Sequence, residues 1–385
     1  MRLARCHNHR DFRRLAKQRL PAPLFHYIDG GADDEVTLRR NTQAFDDVDL
    51  VPNVLAGVGD VDLSTEVLGQ RLRLPLFFSP TAMQRLFHQD GERAVAKAAE
   101  EFGTFFGIST IGTRSIEEMG GFSAPKLFQI YIHKDIALNA DLIARCKAAN
   151  FNALALTVDT VVAGNRERDL VTGMTTPPKL TLASLLSFAM HPGWTLAYLA
   201  GERFELPNVS RYVKQGSDVS SSIASYIHEQ FRTDINWDDA AKMIQDWGGP
   251  FALKGIMSVA DAKMAVQVGA SAIMVSNHGG RQLDGSRAPF DQLADIVDAV
   301  GGDIEIILDG GIRRGTHVLK ALATGATACS GGRMYLYALA GGGSEGVRRA
   351  MTLLREEMQR NMMLMGCSSL AELNRSMLSR RAGGT

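Results

Sequence analysis

Eight short apolar runs, separated by helical patterns, constrain the fold of this chain more than any other feature. Each run is apolar throughout instead of alternating, which is typical of parallel strands that are buried on both faces. Between the runs, apolar residues repeat at spacings of three and four, as in 138–149 and 290–300, and this period predicts helices with one buried stripe. The eight runs lie at 74–79, 104–108, 127–132, 153–158, 251–254, 271–275, 304–308 and 326–329.

A strand followed by a helix, repeated eight times, is the pattern of a (β/α)8 TIM barrel, an α/β fold. We therefore predict that 1–385 form one domain, in which 74–162 and 237–365 make up the barrel. Functional groups of such barrels lie at the C-terminal ends of the strands. Residues at those ends are the first candidates for a site.

Two parts of the chain lie outside the minimal barrel. An N-terminal extension, 1–73, is expected to contain one helix that begins near Asp11 and a second helix around 24–27. A second part, 163–236, is inserted after the fourth strand and is much longer than the usual connection at that place. Loops of this length are usually functional or disordered.

Residues 180–201 of the insertion contain no Asp, Glu, Lys or Arg and read LTLASLLSFAMHPGWTLAYLAG. The stretch is nearly long enough to span a bilayer, but His191, Pro192 and Gly193 interrupt its middle. Two short apolar helices that lie on a surface are therefore expected, instead of one spanning helix. They either contact a membrane surface or pack over the barrel mouth or against another subunit, and the residues leave both readings open.

Charge and cysteine content exclude several classes of protein. Lys plus Arg and Asp plus Glu both number 42, so the formal net charge is zero and binding to nucleic acid is not expected. The four cysteines are far apart and form no CxxC pair, which indicates neither a disulfide framework nor a zinc site and favours a reducing compartment. Residues 1–14 are rich in Arg and His without an apolar core, unlike a secretory signal. We expect a cytoplasmic protein whose chain begins at Met1.

Two glycine-rich loops that contain arginines follow the seventh and eighth runs. The first reads DGGIRRG at 309–315 and the second reads SGGR at 330–333. Glycines bring backbone N–H groups close to oxygen atoms, and Arg adds a bidentate charged contact. Loops after these two strands are the common phosphate site of such barrels, so the pattern predicts a ligand that carries a phosphate.

Polar residues follow the other predicted strands, where they would be costly in a purely structural core. The sixth run continues into SNHGGRQLD at 276–284, in which His278 can act as a base near neutral pH and Arg281 matches a carboxylate. Asp159 can orient a protonated histidine, and Lys254 can stabilise an anion. Further polar residues at strand ends are Ser109, Gln129, Tyr131 and Thr157.

These residues resemble a known family, the FMN-dependent L-2-hydroxy-acid oxidases and dehydrogenases, which includes glycolate oxidase, L-lactate dehydrogenase and (S)-mandelate dehydrogenase. The resemblance extends from about Asp11 to Cys367, and SNHGGRQLD is its most specific motif. The segments that look most like the bacterial, quinone-linked L-lactate dehydrogenase branch are FHYIDGGADDE, SPTAMQRLFH, FQIYIHKD, LTVDT, GNRERD, WGGPFALKG and DGGIRRGTHVLKAL.

The resemblance implies a set of catalytic and substrate-binding residues. His278 would be the active-site base, Asp159 would be its partner, and Tyr131 would bond the substrate hydroxyl. The residues that would hold the substrate carboxylate are Tyr27, Arg166 and Arg281.

The resemblance also implies FMN as the cofactor, without a metal. Lys254 would stabilise the N1 and O2 region of the reduced flavin, and Asp309 would bind the ribityl chain. Contacts to the flavin ring are implied for Pro80, Thr81, Ala82, Ser109, Gln129 and Thr157. The remaining implied cofactor contacts, which include those to the phosphate, are Ser276, Gly310, Gly311, Arg313, Gly332 and Arg333.

The sequence departs from the family pattern at two places. Val161 stands where the family commonly has Pro, and SGGRM replaces the usual IGRP, with Met334 in the position of Pro. Both changes spare the functional atoms and concern loop rigidity and the shape of the cavity. Ala82 and Ile111 look like contacts to the substrate side chain, and their modest size indicates a small or medium apolar substituent.

The activity that the resemblance implies is oxidation of a lactate-like L-2-hydroxy acid to the 2-keto acid, with electrons passing through FMN to quinone or oxygen. Whether His278 removes the hydroxyl proton or the C2 proton stays open, because both routes use the same residues. No haem domain fits in 1–73, and the apolar insertion favours a peripheral dehydrogenase on the inner face of the cell membrane that feeds quinone. A homotetramer is expected.

Three alternatives remain at this point. One is a soluble oxidase that uses oxygen, the second is another FMN barrel such as a type 2 isopentenyl diphosphate isomerase, and the third is a flavin-binding barrel without catalysis. SNHGGRQLD and Asp159 argue against the isomerase. The presence of every expected polar catalytic residue argues against the loss of catalysis.

Overall fold

A closed barrel of eight parallel strands forms the centre of the computed structural model, which describes residues 1–175, 179–212 and 231–381. The strands are β1 (Val48–Leu50), β2 (Thr65–Val67), β3 (Gln70–Leu72), β4 (Leu76–Thr81), β5 (Phe106–Ser109), β6 (Lys126–Ile130), β7 (Ala153–Thr157), β8 (Phe251–Ile256), β9 (Ala272–Val275), β10 (Glu305–Asp309), β11 (Ala328–Gly331) and β12 (Leu378–Arg380). Strands β4 to β11 close the barrel in chain order, and β11 pairs back with β4. Each predicted run matches one barrel strand to within two residues at either end, so the predicted (β/α)8 TIM barrel is confirmed.

Helices alternate with the barrel strands and surround them. In the described residues they are α1 (His9–Arg19), α2 (Ala22–Asp29), α3 (Val36–Asp46), α4 (Gly91–Phe102), α5 (Ile116–Gly120), α6 (Ile136–Ala148), α7 (Glu167–Thr172), α8 (Leu182–Ala189), α9 (Pro192–Ala200), α10 (Trp237–Trp247), α11 (Val259–Gln267), α12 (Pro289–Val300), α13 (Gly315–Thr324) and α14 (Arg333–Met365). The apolar stripe predicted for α6 is buried, since Leu138, Leu142 and Cys146 have no exposed surface.

An apolar layer fills the inside of the barrel. Phe77, Leu127 and Ile307 point into this layer and have no exposed surface. The hairpin of β2 and β3 joins it through Val67 and Leu72, which pack against the first residues of the barrel strands. This hairpin covers the N-terminal end of the barrel, so the C-terminal end is left for polar groups and ligands.

The N-terminal extension contains both predicted helices, α1 and α2, and a third helix, α3, that the sequence did not indicate. Helix α1 begins after Asn8 because the Asn8 side chain accepts a hydrogen bond of 3.1 Å from the Asp11 amide. Helix α1 packs along α14, and β1 pairs antiparallel with β12 near the C-terminus. The extension is therefore packed against the barrel and its last helix.

The insertion contains the two short helices that the sequence predicts for 180–201, namely α8 and α9, which meet at His191. We call residues 182–200 the apolar hairpin. The hairpin buries polar side chains and exposes apolar ones, the reverse of the usual arrangement. Ser184 and Ser187 are buried, while Leu182 and Leu186 are 86% and 59% exposed. An apolar face is thus turned away from the barrel.

Hydrogen bonds from the two serines explain this inversion. Ser184 Oγ donates to the Thr172 carbonyl oxygen at 2.7 Å, and Ser187 Oγ accepts from the Ala22 amide at 2.9 Å. The serine face is held by α7 and α2, so the leucines on the opposite face remain uncovered. None of the described helices has the length and apolar character needed to cross a bilayer. Residues 176–178 and 213–230 of the predicted insertion lie outside the described residues.

Candidate active site

Predicted functional side chains meet at the C-terminal end of the barrel because the strand register places them side by side. Ser109 at the end of β5 is paired with Gln129 on β6. Thr157 at the end of β7 is paired with Lys254 on β8, and Asp309 ends β10 on the same rim. Residues that are far apart in the chain therefore line one opening.

Several polar atoms on this rim are buried without a partner among the described residues, and two of them belong to Gln129 and Thr157. Ser109 Oγ donates to Gln129 Oε1 at 2.9 Å, which leaves Gln129 Nε2 without an acceptor. Thr157 Oγ1 likewise has no partner in the described part of the chain. Buried polar atoms are nearly always hydrogen-bonded in native proteins, so these two atoms indicate a ligand with polar atoms at this place.

A buried ion pair, Lys254 and Asp309, lies on the same rim. Lys254 Nζ is 3.3 Å from Asp309 Oδ2, and the hydroxyls of Ser276 and Ser330 donate to the two Asp309 oxygens at 2.8 Å. Burial by itself raises the pKa of Asp309, but Lys254 and the serine hydroxyls outweigh it and lower that pKa. Burial lowers the pKa of Lys254, whereas Asp309 and Asp159 raise it above its ordinary value. Both groups are charged, so the rim carries a fixed ammonium.

His278 projects from a loop with an unusual backbone after β9. Its φ is +58°, and those of Gly279 and Gly280 are +68° and +73°, so three successive residues occupy the left-handed region. The His278 amide donates to Ser276 Oγ at 3.1 Å, and its Nδ1 lies 3.0 Å from Asp159 Oδ1. Because a carboxylate only accepts, Nδ1 carries the proton of the neutral imidazole and Nε2 keeps its lone pair.

The protonation state of His278 suits a base. Burial lowers the pKa of His278, Asp159 raises it and Lys254 lowers it, and the net result is below the ordinary value of histidine. The imidazole is therefore neutral near pH 7 and can accept a proton. Gln282 helps to hold the Asp159 main chain, because its Nε2 donates to the Asp159 carbonyl oxygen at 2.9 Å.

Two guanidinium groups flank the ring of Tyr27. The Cζ atoms of Arg281 and Arg166 lie 5.0 Å and 5.7 Å from the ring centroid. Burial and the neighbouring Arg166 lower the pKa of Arg281 to about 10. Arg166 is paired with Asp169 at 2.9 Å, so the two guanidiniums and this one carboxylate leave a positive charge in excess. Such a site attracts an anion, and a guanidinium is the matched fork for a carboxylate.

Tyr131 supplies a hydroxyl to the same region. Its ring packs on Phe231, with centroids 4.4 Å apart. Burial and the charge of Asp159 raise the pKa of Tyr131, so its hydroxyl stays protonated and can donate. The structure therefore brings together the residues predicted for catalysis and for carboxylate binding, which are His278, Asp159, Tyr131, Tyr27, Arg166 and Arg281.

The loops after β10 and β11 leave almost no room for side chains. Gly310 and Gly311 have φ values of +127° and +74°, and a Cβ atom on Gly311 would lie 1.8 Å from the Asn41 carbonyl oxygen. Strand β11 pairs with β4, which ends at Pro80 and Thr81. Gly332, just after β11, therefore lies against the Thr81 side chain. Ala82 follows directly, so the predicted Pro80–Ala82 segment lies next to the eighth-strand loop.

The two arginines of these loops, Arg313 and Arg333, differ in their hydrogen-bond partners. Arg313 donates to the carbonyl oxygen of its neighbour Ile312 at 2.8 Å. Arg333 donates three hydrogen bonds of 2.7 Å to main-chain carbonyl oxygens, from Nε to Ile28, from one terminal nitrogen to Gly279 and from the other to Gly30. Two of its five N–H groups remain for a phosphate. Arg333 thus also connects α2 to the loop that carries His278, a contact that the sequence did not indicate. Burial lowers the pKa of Arg313 to about 10, and the nearby Arg333 contributes to this shift.

Sequence patterns missed Asn41, which lies on α3. The side-chain amides of Asn41 and Asn277 exchange two hydrogen bonds of 2.8 Å and 2.7 Å, and Asn277 Oδ1 also accepts from the Gly280 amide at 3.0 Å. This buried pair fixes the base of the left-handed loop. The two residues are 236 positions apart, and no local signal marks Asn41.

A family model described as FMN-dependent dehydrogenase matches residues 16–380. The chain belongs to this family. It is 42% identical over 373 residues to an L-lactate oxidase from Nostoc sp., and the aligned residues make up 96% of each chain. It is 40% identical over 373 residues to an L-lactate dehydrogenase from Vibrio cholerae, which covers 96% of this chain and 98% of the relative. A solved structure of the monotopic membrane protein (S)-mandelate dehydrogenase is 32% identical, with a TM-score of 0.93, and covers 98% of this chain and 100% of that chain.

This membership makes the protein an FMN-dependent enzyme, and the residues on the rim fit the cofactor. A flavin ring offers polar edge atoms to the unpartnered groups of Gln129 and Thr157. Lys254 would supply a positive charge to stabilise a reduced flavin held at this rim. Arg333, beside the glycine-rich loop after β11, has two N–H groups left for a phosphate.

Proposed function

We propose that this protein oxidises a lactate-like L-2-hydroxy acid to the 2-keto acid and passes the electrons to a membrane quinone. The oxidation rests on one observation, the His278 and Asp159 pair beside the Arg166 and Arg281 guanidiniums. The two guanidiniums can bind the carboxylate of a substrate, and the neighbouring base can then remove a proton from an atom close to that carboxylate. Two relatives are named for L-lactate, which has this chemistry.

Each polar side chain has one task in this reaction. Arg281 and Arg166 bind the carboxylate and orient C2, and the Tyr131 hydroxyl donates to the oxygen on C2. His278 Nε2 takes up a proton, from either the hydroxyl or C2, and Asp159 stabilises the imidazolium that results. FMN, when bound, supplies the chemistry of a two-electron acceptor.

An apolar wall favours a small side chain on the substrate. Ile111 and Met83 pack against Leu206 and Val209, two buried residues of the insertion. The Met83 amide also donates to the Ile111 carbonyl oxygen at 3.0 Å, which fixes the two loops to each other. A methyl group, as in lactate, suits such a wall better than a charged group.

Anaerobic flavin bleaching tests the oxidation. The holoenzyme is mixed with L-lactate, glycolate, L-2-hydroxybutyrate or L-mandelate without oxygen, and the loss of oxidised-flavin absorbance is recorded. We expect L-lactate to reduce the flavin fastest. D-lactate is the matched control and should leave the flavin oxidised, because the arginine pair and His278 select one face of C2. Bleaching by none of the acids contradicts the proposed activity.

The exposed face of the apolar hairpin supports quinone as the acceptor. Leu182 and Leu186 are uncovered, and an apolar patch of this kind marks an interaction surface. Each such side chain contributes roughly 1.5 to 3 kcal/mol when it is buried, which suits reversible attachment of a cytoplasmic protein to the inner face of the cell membrane. One structural relative is described as a monotopic membrane protein. Oxygen is the second candidate, supported by the L-lactate oxidase relative.

Reoxidation distinguishes the two acceptors. After anaerobic reduction by L-lactate, the enzyme is mixed with decylubiquinone in detergent micelles or with dissolved oxygen, and the return of oxidised flavin is followed. We expect faster reoxidation by the quinone. Reoxidation by oxygen alone contradicts the quinone acceptor and makes the protein a soluble oxidase.

Vesicle flotation tests the membrane attachment. We expect Leu182→Ser/Leu186→Ser to lose binding to vesicles of phosphatidylethanolamine and phosphatidylglycerol, because the apolar face of the hairpin is removed. Met363→Ser/Leu364→Ser is the matched control, since it changes exposed apolar residues of α14 and should bind as the wild type does. The proposed homotetramer should persist in both variants. If the hairpin variant still floats but dissociates, the hairpin is a subunit contact and the membrane proposal is wrong.

A further inference from the structure

A cavity of about 430 Å³ lies between the apolar hairpin and the barrel, outside the active site. Its walls come from the end of α1, from the loop after β4 and from α9. Met190 and Tyr198 line the cavity and are 64% and 40% exposed, so part of its wall also lies at the surface of the hairpin. The volume is in the range of small-molecule sites, about 300 to 1,000 Å³.

One pair of stacked aromatic side chains connects the inner wall of this cavity to the active site. Phe87 lines the cavity and is 1% exposed. Its ring stacks on that of Tyr27, with centroids 6.2 Å apart and ring planes inclined by 24°. Tyr27 in turn contacts the Arg281 guanidinium. The chain also leads from Ala82 through the 3-10 turn Gln84–Leu86 directly to Phe87. The cavity is therefore joined to the active site both by stacked rings and by a short stretch of chain.

The outer wall presents a pair of stacked rings. Trp194 and Tyr198 lie with centroids 5.0 Å apart and ring planes inclined by 13°. Trp194 Nε1 donates to the Leu86 carbonyl oxygen at 2.9 Å, which fixes α9 against the loop after β4. A flat, apolar ring can extend such a stack, because offset stacking of π systems is favourable.

Two nitrogen donors also line the cavity. Arg85 donates to the carbonyl oxygens of Glu202 and Arg203, and its Nε has no partner among the described residues. His88 Nδ1 accepts from the Asp90 amide at 3.2 Å and lies 3.5 Å from an Asp90 carboxylate oxygen; burial lowers the pKa of His88 by more than Asp90 raises it. The neutral imidazole therefore carries its proton on Nε2, where it can donate. A ligand with two carbonyl oxygens matches these donors.

We propose that this cavity binds the ring of a membrane quinone, whose isoprenoid tail leaves along the exposed leucines of the hairpin. The inference rests on the proposed quinone acceptor. Arg85 and His88 donate to the two carbonyl oxygens of the ring, and Phe87 and Trp194 enclose it. Two electrons and two protons pass from the reduced flavin to the quinone, which yields the hydroquinone and the oxidised flavin.

Filling the cavity tests this site. Ala197 lines the cavity, whereas Ala200 is an exposed residue of the same helix outside its wall. We expect Ala197→Phe to weaken the binding of decylubiquinone by about tenfold, measured by quenching of tryptophan fluorescence in the oxidised holoenzyme. Ala200→Phe adds the same side chain to the hairpin and should bind the quinone as the wild type does. The bound-flavin absorbance reports whether each variant is folded.

Reoxidation kinetics provide the second readout. The decylubiquinone concentration that gives half-maximal reoxidation should rise in Ala197→Phe and not in Ala200→Phe. Equal quenching and equal half-saturation in the wild type and Ala197→Phe overturn the site but leave the quinone acceptor intact. A wild-type enzyme that neither binds decylubiquinone nor is reoxidised by it overturns both, while flavin bleaching by L-lactate tests the oxidation separately.

Discussion

At the scale of single residues, the neighbours of a side chain decide its chemical task. Burial keeps the His278 imidazole neutral, and Asp159 directs its Nε2 away from the carboxylate. Arg281 is fixed in the same way, since one of its terminal nitrogens donates to the carbonyl oxygens of Tyr27 and Gly30 at 2.6 Å and 3.0 Å. Its other nitrogens are left for a substrate carboxylate.

We expect His278→Ala to lower the rate of flavin reduction by about 10² to 10⁴, because the positioned base is lost. Anaerobic stopped-flow absorbance measures this rate. His278→Asn is the second variant, since Asn tolerates the left-handed backbone at this position. His7→Ala, which changes an exposed histidine, is the control. A rate near that of the wild type in both His278 variants, with FMN bound, contradicts the assignment of the base.

Arg281→Lys is expected to weaken substrate binding more than it slows the chemical step. An ammonium cannot reproduce the fork, and a hydrogen bond to a charged group is worth about 1.5 to 3 kcal/mol, so Kd for L-lactate should rise by about tenfold to a hundredfold. The dependence of flavin reduction on L-lactate concentration gives this constant. Arg287→Lys is the matched control, because Arg287 forms a surface ion pair with Asp295. An unchanged Kd argues against carboxylate binding by Arg281.

At the scale of helices, Asp29 joins four elements at the edge of the active site. Its carboxylate at the end of α2 accepts from Arg13 of α1 at 2.5 Å and 2.7 Å and from Arg168 of α7 at 3.0 Å. The Tyr337 hydroxyl of α14 donates to it at 2.6 Å. Burial raises the pKa of Asp29, but the hydrogen bonds from Arg13 and Tyr337 outweigh it and lower that pKa to about 2. The extension, the insertion and the last helix are thus held at one point.

Replacing Asp29 by Asn should destabilise the protein by about 1.5 to 3 kcal/mol, because the charge-assisted hydrogen bonds from Arg13 and Arg168 are lost while both guanidiniums stay partly exposed to water. The ordinary pKa of 3.8 is higher than the folded value of about 2, so the contribution of the carboxylate is full above pH 4 and falls as the pH drops toward 2. Urea unfolding of the wild type and Asp29→Asn at several pH values measures the difference in unfolding free energy. A difference that does not shrink between pH 4 and pH 2 contradicts the ion-pair account.

At the scale of the whole molecule, three parts of the chain build one cationic site. The extension contributes Tyr27, the insertion contributes Arg166, and a barrel loop contributes Arg281. Burial lowers the pKa of Arg281 and, at the predicted phosphate loop, that of Arg313 to about 10, because it disfavours their charged forms. Anionic ligands complete this arrangement, so the stability of the fold should depend on them.

Removal of FMN is expected to destabilise the whole protein, because Arg313 and Arg333 then keep their charges without a phosphate. At free FMN of about 100 times its Kd, binding contributes about 2.7 kcal/mol to the free energy of unfolding. Scanning calorimetry of the apoprotein with and without FMN measures the change in Tm. Riboflavin, which lacks the phosphate, is the control and should raise Tm less. An equal rise with both flavins argues against the phosphate site.

Local patterns were sufficient to predict the barrel and the position of its site. Continuous apolar runs and helical periods are formed by residues that are close in the chain, so they can be recognised in the sequence. Eight alternating repeats of a strand and a helix then predict a (β/α)8 barrel. Barrel topology then places the strand ends at one rim, so Gln129, Asp159 and His278 could be assigned to a single site. Pro192 likewise predicted the break between the two short helices of the hairpin, because a ring at that position ends the preceding helix.

Only the tertiary structure decided the contacts between distant segments. Asn41 and Asn277 form a buried pair across 236 positions, and Arg333 reaches carbonyl oxygens of α2 that no pattern connects with it. The turn of Ser184 and Ser187 toward the protein, which exposes the leucines of the hairpin, also depends on partners outside the helix. Periodicity records how a segment divides its own surface into faces, whereas hydrogen bonds between segments decide which of those faces is buried.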